Sequence, residues 1–171
     1  MRAIKKLSFI LILAIITIIL VGWDYFSTPK QFVSNQTFVK NSDPFFSYEV
    51  TKYPSNVEII PPQYREQKMT IGIVTDPWNL NFGIIPAGSH GTRHITISNS
   101  EKNKVKVSFK VYGSIKPLIS FNQNNFILLP NESVYIDVFL NTTDKTRSGN
   151  YTGEINVIIK KPNLNFLYWI L

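Results

Sequence analysis

Cysteine is absent from all 171 residues, which excludes a disulfide framework, a zinc knuckle and thiol chemistry. That absence does not place the chain in a reducing compartment, because exported domains also fold without disulfides. Histidine is scarce: His90 and His94 are the two in the chain. A histidine pair four residues apart holds a metal when both lie on one helix face. Here Gly88 and Gly91 break any helix, and His94 opens a strand. The sequence has no Gly-x-Ser-x-Gly elbow, no glycine-rich phosphate cradle and no His-Glu-x-x-His. Its 11 acidic residues are dispersed, with Asp137 facing outward in mid-strand and Asp144 and Glu154 read as surface charges. A glycosidase needs two carboxyls a few ångströms apart, and nothing clusters. The expectation is a protein that is not an enzyme and takes no cofactor and no metal.

Positive charge is abundant, with a formal net of +7 and a pI near 9.6. Such a balance suits phosphate partners, but Arg2, Lys5 and Lys6 flank a hydrophobic run and are explained there. The densest remaining group is Lys102, Lys104, Lys106 and Lys110, opposite Val105, Val107, Phe109 and Val111 on the other face of a strand. It reads as a solvated sheet face, the alternative being an anionic surface partner. No nucleic acid is expected.

Residues 7–23, LSFILILAIITIILVGW, carry no charge. Seventeen residues lie near the lower limit for a helix crossing a hydrocarbon core. The basic tip 1–6 precedes the run and Asp24 follows it, so the positive-inside rule puts the N-terminus in the cytoplasm and the remainder outside. Trp23, Tyr25 and Phe26 sit where an aromatic belt marks the outer interface. A cleaved signal peptide is the competing reading, but its apolar region is shorter and ends at small residues; here bulky residues follow. A pilin-type leader usually has a small residue ahead of the apolar run, and Lys5-Lys6-Leu7 does not supply one. The expectation is a single-pass membrane protein held in lipid through residues 7–23.

Residues 24–66 hold five prolines, at 29, 44, 54, 61 and 62, and few periodic runs. That composition resists long helix and regular sheet and is expected to form a stalk. A flexible chain of this length reaches roughly 35–40 Å. Phe32, Phe38, Phe45, Phe46, Tyr48 and Tyr53 make it too aromatic for a plain spacer, so Phe45–Val50 or Val57–Ile60 is expected to pack on the body or on a partner.

From residue 69 the hydrophobic period becomes two, the mark of half-buried strands. Strands are expected at 69–75, 80–83, 92–98, 105–112, 118–121, 126–129, 133–140 and 151–159. Pro86-Ala87-Gly88, Asn99-Ser100-Glu101, Pro130-Asn131 and Ser148-Gly149-Asn150 supply turns between them. This spacing predicts an all-β, immunoglobulin-like antiparallel β-sandwich of seven to eight strands over 67–161, preceded by one transmembrane helix. Gly83, Gly88 and Gly149 are expected where the backbone needs permissive φ.

The stretch Leu80-Asn81-Phe82-Gly83-Ile84-Ile85-Pro86-Ala87-Gly88-Ser89, followed by Thr92–Asn99, resembles immunoglobulin-like domains of the major-sperm-protein and ASH type. Leu129-Pro130-Asn131-Glu132-Ser133-Val134 resembles their corner before a strand, and Ser148–Gly153 resembles the turn opening their final strand. The resemblance covers about residues 69–160. It implies a structural or protein-binding module and carries no catalytic residue with it.

Four Asn-x-Ser/Thr sequons, at Asn35, Asn131, Asn141 and Asn150, fall at loops or strand ends and are candidate N-glycosylation sites if the host modifies that motif. The tail 162–171 is unusually apolar. It is too short to span a bilayer, and it completes the sandwich, lies at a membrane interface or fills a partner's groove. Phe166, Tyr168 and Trp169 are its candidate contact residues. The leading expectation is thus a membrane-anchored, extracytoplasmic, structural or protein-binding subunit of a cell-surface or membrane assembly, its protein partner unidentified. The alternatives are a pilin-like or stator-like filament or surface-layer component, and a carbohydrate-binding domain with Trp78, Tyr112 and Tyr135 as candidate exposed aromatics.

Overall fold

Alternating side chains dominate the folded body. In Ser133–Asn141, Ile136, Val138 and Leu140 are fully buried, while Tyr135 beside them is exposed. That pattern builds a sheet with one dry face and one wet face. A computed structural model describes residues 29, 31–66 and 79–171 of the chain. The anchor expected at 7–23, the strand expected at 69–75, and Trp78 lie outside the described residues. Among the described residues no helix is long and apolar enough to cross a membrane.

Nine strands are present among these residues: β1 (Thr37–Ser42), β2 (Phe46–Ile60), β3 (Leu80–Pro86), β4 (His90–Ser98), β5 (Val105–Gly113), β6 (Ile119–Phe121), β7 (Phe126–Leu128), β8 (Ser133–Asn141) and β9 (Gly149–Pro162). Three short 3-10 turns, Pro62–Glu66, Lys116–Leu118 and Asn165–Ile170, accompany them. The larger sheet runs β1-β2-β9-β5-β7, with β3 also paired to β2, and the smaller runs β4-β8-β6. All pairings are antiparallel except β2 with β3. The fold is an all-β sandwich, compatible with an immunoglobulin-like one.

The core lies between the sheets. Ile95, Ile97, Ile136, Val138 and Leu140 from the small sheet meet Val57, Ile59, Val105, Val107, Phe109, Ile155 and Val157 from the large one. Phe109 of β5 and Phe121 of β6 stack across the gap, ring centroids 4.6 Å apart. Each fully buried aliphatic or aromatic side chain stabilises the body by about 1.5–3 kcal/mol.

The stalk expected at 24–66 is corrected over much of its length. Phe46–Ile60 is the longest strand of the sandwich, paired with β9 from Phe46↔Pro162 to Ile59↔Gly149. Pro54 does not break it, for a reason visible in the register. β1 neighbours β2 only up to Lys52, and β3 neighbours it only from Ser55. Pro54, which has no N–H to donate, falls in the gap between these two partners. The compact unit therefore begins at Gln31 rather than near residue 67.

Candidate functional site

Three surface or near-surface features hold the chemistry-bearing side chains. The first is the outward face of the small sheet. Register pairs His94 with Asp137, and His94 Nδ1 lies 2.6 Å from Asp137 Oδ1. Tyr135 packs against the imidazole at 5.4 Å between centroids. Asn122 accepts from the Asp137 backbone N–H at 3.1 Å. A carboxylate and the imidazole it orients are two of the three members of a hydrolytic triad. Among the described residues no hydroxyl hydrogen-bonds the other ring nitrogen. His90 lies four residues away at the start of β4, exposed, and among the described residues no three His, Asp or Glu side chains gather at metal-binding distance.

The second feature corrects an expectation. Glu154 is completely buried, not a surface charge. Its strand is the central one of the large sheet, and its outward face is covered where the segment around Val33 lies against it. The Val33 backbone N–H donates to Glu154 Oε2 at 3.0 Å, and Lys52 Nζ stands 3.9 Å from Oε1. Burial, together with the negative charge of Glu154, pushes the Tyr112 hydroxyl above its ordinary range. A lone acid in strand sequence gives no sign of this cover.

The third feature is one end of the sandwich, where the β1–β2 hairpin tip, the β4–β5 loop and the tail converge. Asn163 fastens them: its N–H donates to the Phe45 carbonyl at 2.8 Å, and its side chain reaches Ser42 Oγ at 3.1 Å and the Asp43 carbonyl at 2.6 Å. Glu49 joins Lys40 at 3.0 Å and Lys161 at 2.9 Å, and Lys161 reaches Glu101 at 2.7 Å. Burial works to raise the Glu49 carboxyl, but the hydrogen bonds from Lys161 and Lys40 prevail and hold it below its usual value. Lys160 and Lys106 face each other across β9 and β5. Lys160 Nζ sits 3.6 Å from the Phe46 ring centroid, a cation–π contact.

Of the tail residues, Leu167 is buried, Tyr168 is partly buried, and Phe166 and Trp169 are 63% and 80% exposed. The tail thus packs on its own body through Leu167 and directs two aromatics outward. The four sequon asparagines are all exposed. Asn131 occupies a left-handed turn at φ 58°, and the Asn141 amide donates to Ser120 Oγ at 3.0 Å. Tyr112 and Tyr135 do not share a platform, since Tyr112 is buried on the large sheet and Tyr135 is exposed on the small one.

The asparagine that closes the family-like pattern is an internal brace. Asn99 is buried, and its Nδ2 lies within 3.1 Å of the carbonyls of Asn103, Leu128 and Leu129. Its Oδ1 accepts from the Glu101 N–H at 3.0 Å. No protein-family model matches the chain, and no curated protein matches it in sequence.

Proposed function

We propose that this chain is a single-pass membrane protein whose residues 7–23 are an anchor helix, with 1–6 in the cytoplasm and the sandwich outside. The sandwich is an immunoglobulin-like module of the major-sperm-protein and ASH type. It serves as a structural or protein-binding subunit of a cell-surface or membrane assembly, and its exposed sequons are open to glycosylation where the host modifies that motif. What supports the anchor is the charge-free run bracketed by Arg2, Lys5 and Lys6 on one side and Asp24 on the other.

The observation that carries the binding role is β1. All six of its residues are exposed, Phe38 and Val39 among them, and among the described residues one edge of the strand has no neighbour in the sheet. An open edge with apolar side chains is a template for strand addition by a partner.

The lack of native cysteine makes the topology directly measurable. A single cysteine placed at exposed Asn165 or Gln123 should react with a membrane-impermeant maleimide on intact cells. Labelling that appears only after permeabilisation would reverse the orientation and remove the role built on it.

A further inference from the structure

The hairpin-tip end of the sandwich combines exposed aromatics with unneutralised positive charge. The carboxylates of Glu49 and Glu101 are engaged by Lys40 and Lys161. That leaves Lys102, Lys104, Lys106 and Lys160 with no ion pair among the described residues, and Asp43 as the nearby acid. Two like charges directly opposite on one sheet face repel, as Lys106 and Lys160 do. Burial, with the charge of Lys106 adding to it, holds the Lys160 ammonium below its ordinary value, against the pull of Asp43. Nothing in the core requires this juxtaposition, and an external anion would relieve it.

The apolar members of the same end are exposed side by side with its polar groups. Phe166 and Trp169 project from a short turn that is itself seated by Leu167, and Leu164 and Phe45 are 40% and 37% exposed. Exposed tryptophan and phenylalanine on the same end as these lysines fit the boundary between headgroups and acyl chains, where amphipathic rings and lysine are both favoured. A protein pocket accepting them would have to supply acidic groups and a deep apolar slot together.

We infer that this end docks on an anionic lipid surface, with Phe166 and Trp169 at the headgroup boundary and the four lysines over acidic headgroups. The inference rests on the anchored reading in one respect. An anchor would hold the body on one bilayer and so at a high local concentration of its headgroups. Tethering of that kind turns a weak surface contact into a populated one.

The test uses the full chain in nanodiscs of phosphatidylcholine alone or with phosphatidylglycerol, with bromine on the acyl chains. Fluorescence quenching is compared with that of Trp169→Phe, which isolates this indole from Trp23 and Trp78. The expected result is Trp169 quenching in the anionic discs. It should weaken by about fivefold in effective partition for each of Lys106→Gln and Lys160→Gln, since each basic side chain near such a surface contributes that much, and it should fall with added salt.

A Trp169 unquenched in both compositions overturns the inference, as does quenching that ignores lipid charge and both lysine changes. A photoreactive side chain at position 166 that yields protein adducts and no lipid adducts in native membranes would assign the surface to a protein. Phe166 and Trp169 are exposed, so these changes leave the core packed. Alkaline carbonate extraction reads the anchor separately. A released chain that is still quenched on anionic vesicles would refute the anchor and keep the docking surface.

Discussion

The backbone N–H of Val33 and the carboxylate of Glu154, 121 positions apart in the chain, are joined at 3.0 Å on the outward face of the large sheet. Because Glu154 is fully buried and its Oε1 has only Lys52 at 3.9 Å, the carboxylate ties the segment entering the body to the central strand. Removing one side of a buried charged contact leaves the other uncompensated.

Glu154→Ala is therefore expected to destabilise the body by about 3 kcal/mol, because Val33 and Lys52 both lose their partner. Glu154→Gln retains an acceptor for Val33 and should cost less. Urea unfolding of the full chain in mild detergent reads both, and equal stability of the alanine variant and the parent would refute the tie.

Asn99 supplies a sharper case. Its amide nitrogen faces three carbonyls, and its oxygen faces an N–H. Asn99→Ala should cost about 3 kcal/mol through orphaned buried groups. Asn99→Asp should cost more despite its closer shape, because it sets an acceptor against three acceptors. The order of the two urea midpoints decides it: an aspartate variant above the alanine variant would show that shape, not donor geometry, matters there.

Acid should loosen the hairpin-tip end. The Glu49 carboxyl titrates below its ordinary 4.5 in the folded body, so its contribution is complete above that value and disappears as pH falls through the lower folded one. Lys161 is the mirror case. Burial lowers its ammonium, but the hydrogen bonds to Glu101 and Glu49 outweigh burial and raise it. Its contribution is complete below the ordinary 10.5 and is lost as pH rises through the higher folded value. Stability of the parent should decline on both flanks, and Glu49→Gln should flatten the acid flank. An acid flank of unchanged slope in Glu49→Gln would place the pH dependence elsewhere.

The strands from residue 80 onward are legible in the sequence because most bury a single face, so apolar side chains recur at every second position. β8 and β4 show this plainly. β2 is hidden because its buried parity changes along its length. Tyr48 and Val50 are buried on the outward face, whereas Ser55, Val57 and Ile59 are buried on the inward one. A phase change in mid-strand, with Pro54 inside it, reads as irregular chain. β1 is hidden for the opposite reason: all its residues are exposed, so no burial period exists to detect. At the candidate surface, the lysines and tail aromatics are visible individually. Their convergence on one end depends on Asn163 meeting the β1–β2 tip, a contact between residues about 120 positions apart, which no local pattern encodes.

The position of β9 has a consequence for how the chain comes to be folded. It is the latest of the nine strands in chain order, yet it lies between β2 and β5 and bonds to both. Until residues 149–162 arrive, β1, β2 and β3 on one side and β5 and β7 on the other have no strand to join them. Closure then requires contacts of high sequence separation, which form slowly. A polypeptide arranged this way cannot complete its larger sheet until that keystone strand is delivered.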